Sequence, residues 1–223
     1  MTTPRIGLVI FDCDGVLVDI ERIAVRIQLA LGVELGWPMT GSEVVERFIG
    51  RSSPFIEEQL GDRLGPDVAA TWLETYERRQ AVAVESELTA VDGVVEALDG
   101  ITLPTCVASN GSQAKMRDTL GRTGLYGRFE GRIFSAAEVA RGKPAPDLFL
   151  YAARSMGVDP SRCVVVEDSR YGVQAARAAG MRVLGYAGGV TPAHWLEGPD
   201  TTLFDDMRTL PGLLAGLSRV GQP

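Results

Sequence analysis

Two aspartates one residue apart, Asp12 and Asp14, stand directly after an apolar run at 6–11. Other polar residues follow further apolar runs or sit at the mouth of a helix. Ser109 and Asn110 come after 106–108, Lys143 lies in Gly142-Lys143-Pro144-Ala145-Pro146-Asp147, and Glu167 and Asp168 come after 163–166. In an open parallel sheet, ligands bind beyond the carboxyl ends of the strands, so residues just past each run would gather in one place. Four carboxylates gathered there would repel one another and raise their pKa values unless a cation sat among them. A hard divalent ion answers that repulsion, and Mg²⁺ takes one or two carboxylates together with water and phosphate oxygens. A carboxylate nucleophile, a second carboxylate, a metal, a hydroxyl and an ammonium suit phosphoryl transfer, in which stabilising the charge on the transferring group is most of the task. An EF-hand calcium loop does not fit: Gly15 is the fourth position rather than the sixth, and Ile23 stands where the bidentate Glu belongs.

The elements that must position these residues are legible as well. Continuous apolar runs at 6–11, 106–108, 132–134, 163–166 and 181–186 fit strands buried on both faces. Helical patterns at 112–123, 146–156 and 172–179 alternate with them, punctuated by Gly and Pro. Strand alternating with helix implies right-handed βαβ units, hence an α/β, doubly wound parallel sheet covered on both faces. The stretch 19–84 has no β-rich run. Its apolar residues return every three or four positions, as in Ile23, Ala24, Ile27 and Leu31 and in Val68, Trp72 and Tyr76, the pattern of amphipathic helices. Gly41-Ser42-Glu43 and Ser52-Ser53-Pro54 look like helix starts, with capping hydroxyls and a proline in the first turn. A small inserted α-helical domain at 19–85 is therefore expected, hinged near 18–20 and 84–87, with the α/β core formed by 1–18 and 86–223.

The 223 residues carry a net charge of −7, with 45% hydrophobic and 23% charged residues. That composition supports a sizeable core and excludes intrinsic disorder. The acidic balance argues against nucleic acid or an anionic membrane surface as a partner, and no apolar stretch approaches the ~18–20 residues a membrane span needs. Cys13, Cys106 and Cys163 sit in short apolar runs without metal-type spacing, so reduced, buried thiols are expected. With no signal-peptide pattern at the start, a cytoplasmic, monomeric protein acting on a small molecule is expected. Only Lys115 and Lys143 among the 22 basic residues are lysines. Lys143, in a proline-bearing loop with Pro144 directly after it, stands out; Lys115, three residues into a helix, is expected to be solvated. His194 belongs to none of these sets and is read as structural.

Phe11-Asp12-Cys13-Asp14-Gly15-Val16-Leu17-Val18-Asp19 resembles the first motif of the haloacid dehalogenase-like hydrolase superfamily. Val107-Ala108-Ser109-Asn110 resembles its second motif, Gly142-Lys143-Pro144-Ala145-Pro146-Asp147 its third and Val166-Glu167-Asp168-Ser169 its fourth, in the family's order and spacing. The resemblance implies a Rossmann-like core with a helical cap. It makes Asp12 the nucleophile that carries an aspartyl-phosphate, and Asp14 the general acid and base. Mg²⁺ would be held by the Asp12 carboxylate, the Asp14 backbone carbonyl and Asp168, with Glu167 close by or bound through water. Ser109, Lys143 and the backbone near Asn110 and Gly111 would hold the phosphoryl oxygens. Asp14 disfavours a dehalogenase, because halide leaves without a proton. The loop Phe48-Ile49-Gly50-Arg51-Ser52-Ser53 matches the cap's specificity loop in place, making Arg51 and Ser52 substrate-binding candidates.

The implied activity is a Mg²⁺-dependent phosphatase acting on a small phosphate ester, a sugar or sugar-acid phosphate. Glu85-Ser86-Glu87-Leu88 and Cys106-Val107-Ala108-Ser109-Asn110-Gly111 are similar to segments of the bacterial 6-phosphogluconate phosphatases in the family. The alternative is a β-phosphoglucomutase-type mutase. Those relatives carry a histidine in the first cap helix, where this chain has Ala24, and most relatives read Asp-Ser-Glu or Asp-Thr where this chain has Asp19-Ile20-Glu21.

Overall fold

The structure is a computed structural model that describes residues 5–51 and 53–219. Six strands form one parallel sheet: β1 (Leu8–Phe11), β2 (Thr105–Ser109), β3 (Ile133–Ser135), β4 (Cys163–Glu167), β5 (Arg182–Tyr186) and β6 (Thr201–Phe204). Their order is β3-β2-β1-β4-β5-β6, and every neighbouring pair is parallel. The order reverses between β1 and β4, which puts the topological switch point at the ends of those two strands.

Side chains alternate across a strand, and here both faces are apolar. Val9, Phe11, Val107, Val164, Val166 and Leu184 share one core, with α5 (Val94–Gly100), α6 (Gln113–Arg122), α7 (Tyr126–Phe129) and α10 (Leu210–Arg219) over it. Leu8, Ile10, Cys106, Ala108, Cys163, Val165 and Val183 share the other, covered by α8 (Asp147–Ser155) and α9 (Arg170–Ala178). This is the doubly wound α/β architecture the apolar runs imply. The short runs at 106–108, 132–134 and 163–166 each gain at least one residue in the ladder. β6, α5 and α10 have no counterpart in the sequence reading. The sixth strand is an edge strand in which Thr201, Thr202 and Leu203 are not fully buried, so no continuous apolar run announces it. The three cysteines are free and buried. Among the described residues no helix is long and apolar enough to cross a membrane.

Between β1 and α5 lie four helices, α1 (Ile20–Glu34), α2 (Gly41–Phe48), α3 (Ser53–Leu64) and α4 (Pro66–Glu87). They have a core of their own, in which Trp37, Phe48 and Trp72 meet at ring separations of 6.1–6.2 Å. Trp72 is fully buried, and its indole N–H donates to Gln28 Oε1 at 2.6 Å, which satisfies both polar groups away from water. Two local expectations shift. The cap of α2 is Thr40 rather than Ser42: its hydroxyl accepts from the Glu43 N–H and the Glu43 carboxylate accepts from the Thr40 N–H, a reciprocal box. And α4 runs unbroken to Glu87, past the expected boundary at 85, so the chain returns to the core at 88–91. There Val18 bridges Ala90, the Asp19 N–H donates to Thr89 (3.0 Å) and the Val91 N–H donates to Leu17 (3.0 Å).

Because Trp72 fills the centre of the helical core, Trp72→Ala is expected to cost about 3–5 kcal/mol. Urea unfolding followed by circular dichroism measures this.

Candidate active site

β1 ends at Phe11, and the Asp12 N–H donates to the Val166 carbonyl (2.9 Å), so Asp12 still follows the sheet. The chain then turns sharply. Gly15 adopts φ +80, and its N–H closes the turn onto the Val18 carbonyl at 2.8 Å. A side chain is excluded there on two counts: the left-handed backbone, and the space, since a Cβ would fall 2.1 Å from Asp168 Oδ2 and 2.8 Å from Glu21 Oε2. The turn puts Asp12 and Asp14 on the same cavity.

Beside Asp12 lies the end of β4. Glu167 is nearly fully buried; its Oε2 accepts from the Ser169 N–H (2.7 Å) and hydroxyl (2.9 Å), and its Oε1 accepts from Lys143 Nζ (2.7 Å). Lys143 Nζ also donates to Asp12 Oδ1 at 2.5 Å and sits 4.8 Å from the Phe149 ring centre. Burial opposes the charge on Lys143, but the Asp12 and Glu167 carboxylates outweigh it and hold the ammonium above its usual range. Burial is also the largest influence on Asp12, pushing its carboxyl up to about 7 despite Lys143.

Asp168 differs from its neighbours. It is 1% exposed, and neither carboxylate oxygen has a hydrogen-bond partner. Burial and nearby carboxylates push its pKa well above the ordinary range, Glu21 being the nearest of those charges in effect. Asp12, Glu167 and Asp168 each bring one carboxylate oxygen into a group whose members lie within 4.8 Å of one another. One ammonium serves two of these three buried carboxylates, and both oxygens of the third, Asp168, are left without a donor. The residues fit a hard divalent cation, which prefers such oxygens.

The third strand end closes the site. Ser109 is buried, and its Oγ accepts from the Gly111 N–H (3.1 Å); the Gly111 carbonyl in turn accepts from Ser135 Oγ (2.7 Å). Asn110 clamps the lysine's backbone: its Nδ2 donates to the Lys143 carbonyl (3.2 Å) and its Oδ1 accepts from the Lys143 N–H (2.9 Å). Ser112 caps α6 by accepting from the Lys115 N–H (3.2 Å), so the positive end of that helix starts beside Ser109.

Opposite the strand ends, the helical block completes a cavity of about 770 Å³. Glu21, Ala24 and Gln28 line it from α1, Arg51 from the α2–α3 loop, and Tyr76 and Gln80 from α4. The Arg51 guanidinium lies 4.2 Å from the ring centres of both Phe55 and Tyr171, so two aromatic rings hold it at the rim. Asp12, Asp14, Ser109, Asn110, Gly111, Lys143, Glu167, Asp168 and Arg51 all reach this one cavity; Ser52 lies outside the described residues. His194 is exposed beside Trp195, away from the cavity lining.

Two residues stand where sequence reasoning did not put them. Lys115, expected to be solvated, is only partly so: its ammonium makes an ion pair with Asp14 Oδ2. Its rarity was the available signal, as one of two lysines among 20 arginines. Glu21, expected only as part of a motif, is buried with Oε2 unpartnered, and burial pushes its carboxyl up to about 8. The signal for it was its place on one helix face with Ala24 and Gln28.

The family model described as haloacid dehalogenase-like hydrolase matches residues 6–180. The chain is 35% identical over 210 residues to the 6-phosphogluconate phosphatase of Escherichia coli strain K12, covering 94% of this chain and 95% of that one. A conserved haloacid dehalogenase-like protein of Agrobacterium tumefaciens strain C58 superposes with a TM-score of 0.85 at 38% identity, over 96% of this chain and 99% of that one. A family hydrolase of Deinococcus radiodurans R1, solved with bound phosphate and sodium, gives a TM-score of 0.78 at 29% identity over 98% and 99%.

The site tolerates no bulk behind Glu167. A Cβ on Gly172 would fall 1.7 Å from Glu167 Oε1, so Gly172→Ala is expected to lower stability by about 1–3 kcal/mol, as read by thermal unfolding.

Proposed function

The chain belongs to the haloacid dehalogenase-like hydrolases, and on that footing we propose that it is a Mg²⁺-dependent phosphatase of a sugar or sugar-acid phosphate, acting through an aspartyl-phosphate. The observation that carries this reading is the convergence of Asp12, Asp14, Ser109, Lys143 and Asp168 on one cavity.

The Asp12 carboxylate attacks phosphorus and forms an acyl phosphate as the ester oxygen leaves. Asp14 gives that oxygen its proton, then takes one from the water that hydrolyses the acyl phosphate and releases inorganic phosphate. The Lys115 ion pair fixes where the Asp14 carboxylate points. Lys143, Ser109 and the amino end of α6 face the oxygens on which charge accumulates. Bound to Asp12 and Asp168, with Glu167 beside them and the Asp14 carbonyl as a further ligand, Mg²⁺ would supply positive charge at those same oxygens. The helical block serves as a cap that excludes water and selects the substrate.

The likeness to a 6-phosphogluconate phosphatase over nearly the whole of both chains supports a sugar-acid phosphate as substrate. Arg51, held at the rim by its two rings, is the cation available to the far end of such a molecule. Ala24 lines the cavity where histidine-bearing mutase relatives would present an imidazole, which favours hydrolysis over phosphoryl return. Three buried free thiols support a cytoplasmic setting.

Purified protein with Mg²⁺ and a panel of sugar and sugar-acid phosphates, 6-phosphogluconate included, should release phosphate from a few members. Release from none would overturn the reading, and sugar isomers formed without phosphate would replace it with a mutase. Asp14→Asn is expected to cut kcat on sugar phosphates by about a hundredfold or more but to affect p-nitrophenyl phosphate far less, since nitrophenolate leaves unprotonated. Equal losses on both would remove Asp14 from the acid role.

A further inference from the structure

Glu21 is buried among groups of its own sign. It is 7% exposed, in the first turn of α1, and the charges acting on it come from Asp12, Asp14, Glu167 and Asp168. Position near a helix amino end stabilises a carboxylate only modestly, far less than the burial of an unpaired one costs. The cations that could neutralise it are engaged elsewhere. Lys143 is on Asp12 and Glu167, Lys115 is on Asp14, and the adjacent Arg22 turns outward to Asp19 (3.0 Å) and the Gly188 carbonyl (3.1 Å). No N–H or hydroxyl donor reaches Glu21 Oε2 or the two oxygens of Asp168; these two carboxyls face each other closely enough to share a proton where no cation lies between them. Glu21 Oε2 and Asp168 Oδ2 flank the same bare Cα, that of Gly15, at 2.8 and 2.1 Å from where a Cβ would lie.

From this geometry we infer that Glu21 is an outer carboxylate of the divalent-cation site, supporting the ion through its hydration shell and tying α1 to the strand ends. The inference rests on the proposed metal site at Asp12 and Asp168 and adds a ligand-bearing element from outside the α/β core. It gives the ion a second task. By satisfying a carboxylate on the core and one on the helical block together, Mg²⁺ fastens the block over the cavity before any substrate enters.

The test is Mg²⁺ binding by titration calorimetry, without substrate, for the parent, Glu21→Gln and Asp168→Asn. Amide hydrogen exchange across α1, with and without Mg²⁺, accompanies it. Outer partners of a metal site typically contribute about tenfold or more in affinity, so Glu21→Gln should weaken binding by at least that factor and abolish the Mg²⁺-induced protection of α1. Asp168→Asn should weaken it more steeply. The Mg²⁺-induced rise in Tm, taken for each variant against its own ion-free form, separates loss of binding from loss of folding. Unchanged affinity and unchanged α1 protection in Glu21→Gln, with Asp168→Asn impaired, would overturn the part given to Glu21. Parent-like binding in both variants would overturn the metal site itself.

Discussion

Negative charge is concentrated out of water at one edge of the sheet, and most of the surrounding architecture answers that constraint. Asp12, Glu167, Asp168 and Glu21 are all buried, and the low polarity of their surroundings magnifies both repulsion and attraction. Lys143 offsets two of them, and its position is secured through the backbone by Asn110 and at the ammonium by the Phe149 ring. Ser169 and the amino end of α9 take up the remaining oxygen of Glu167. Asp168 and Glu21 keep unpartnered oxygens. A residual need of this kind, inside an otherwise satisfied network, selects for a cation strongly and for little else.

Parallel strands make such a concentration affordable. Each strand is apolar on both faces and ends abruptly, so the polar residue that follows emerges at a common level without being woven into the core. Close approach of the ends then depends on residues with no side chain. Gly15 lets the first turn pass between Asp168 and Glu21, Gly142 leaves room for the Asn110 amide, and Gly172 leaves room for Glu167. The chemistry rests on absent methyl groups as much as on the charged ones.

What the sequence discloses and what it conceals divide along a physical line. Contiguous features are legible: the apolar runs became β1 to β5, and the residues directly after them, Asp12, Ser109 and Glu167, meet as their positions require. Features created only by folding are not. Lys115 reads as an exposed helical lysine until folding brings it onto a residue 101 positions earlier. Glu21 reads as part of a motif until the block packs against Asp168. β6 hides because an edge strand needs no continuous apolar run, and Thr40 displaces Ser42 as a cap because that choice depends on where the backbone first turns helical, not on which hydroxyl is nearer.

The two crossings between core and helical block lie side by side, joined by the Val18–Ala90 bridge and the hydrogen bonds at Asp19 and Val91. Everything from Ile20 to Glu87 thus leaves and rejoins the core at a single point. For the lineage, this separates two kinds of novelty. On the proposed reading, change in the inserted segment redirects the enzyme toward a different metabolite and leaves the strand ends, where the ester is broken, untouched. In the role inferred for it, Glu21 sets the limit of that freedom, because a replacement segment that lost it would leave the ion to the core's own groups.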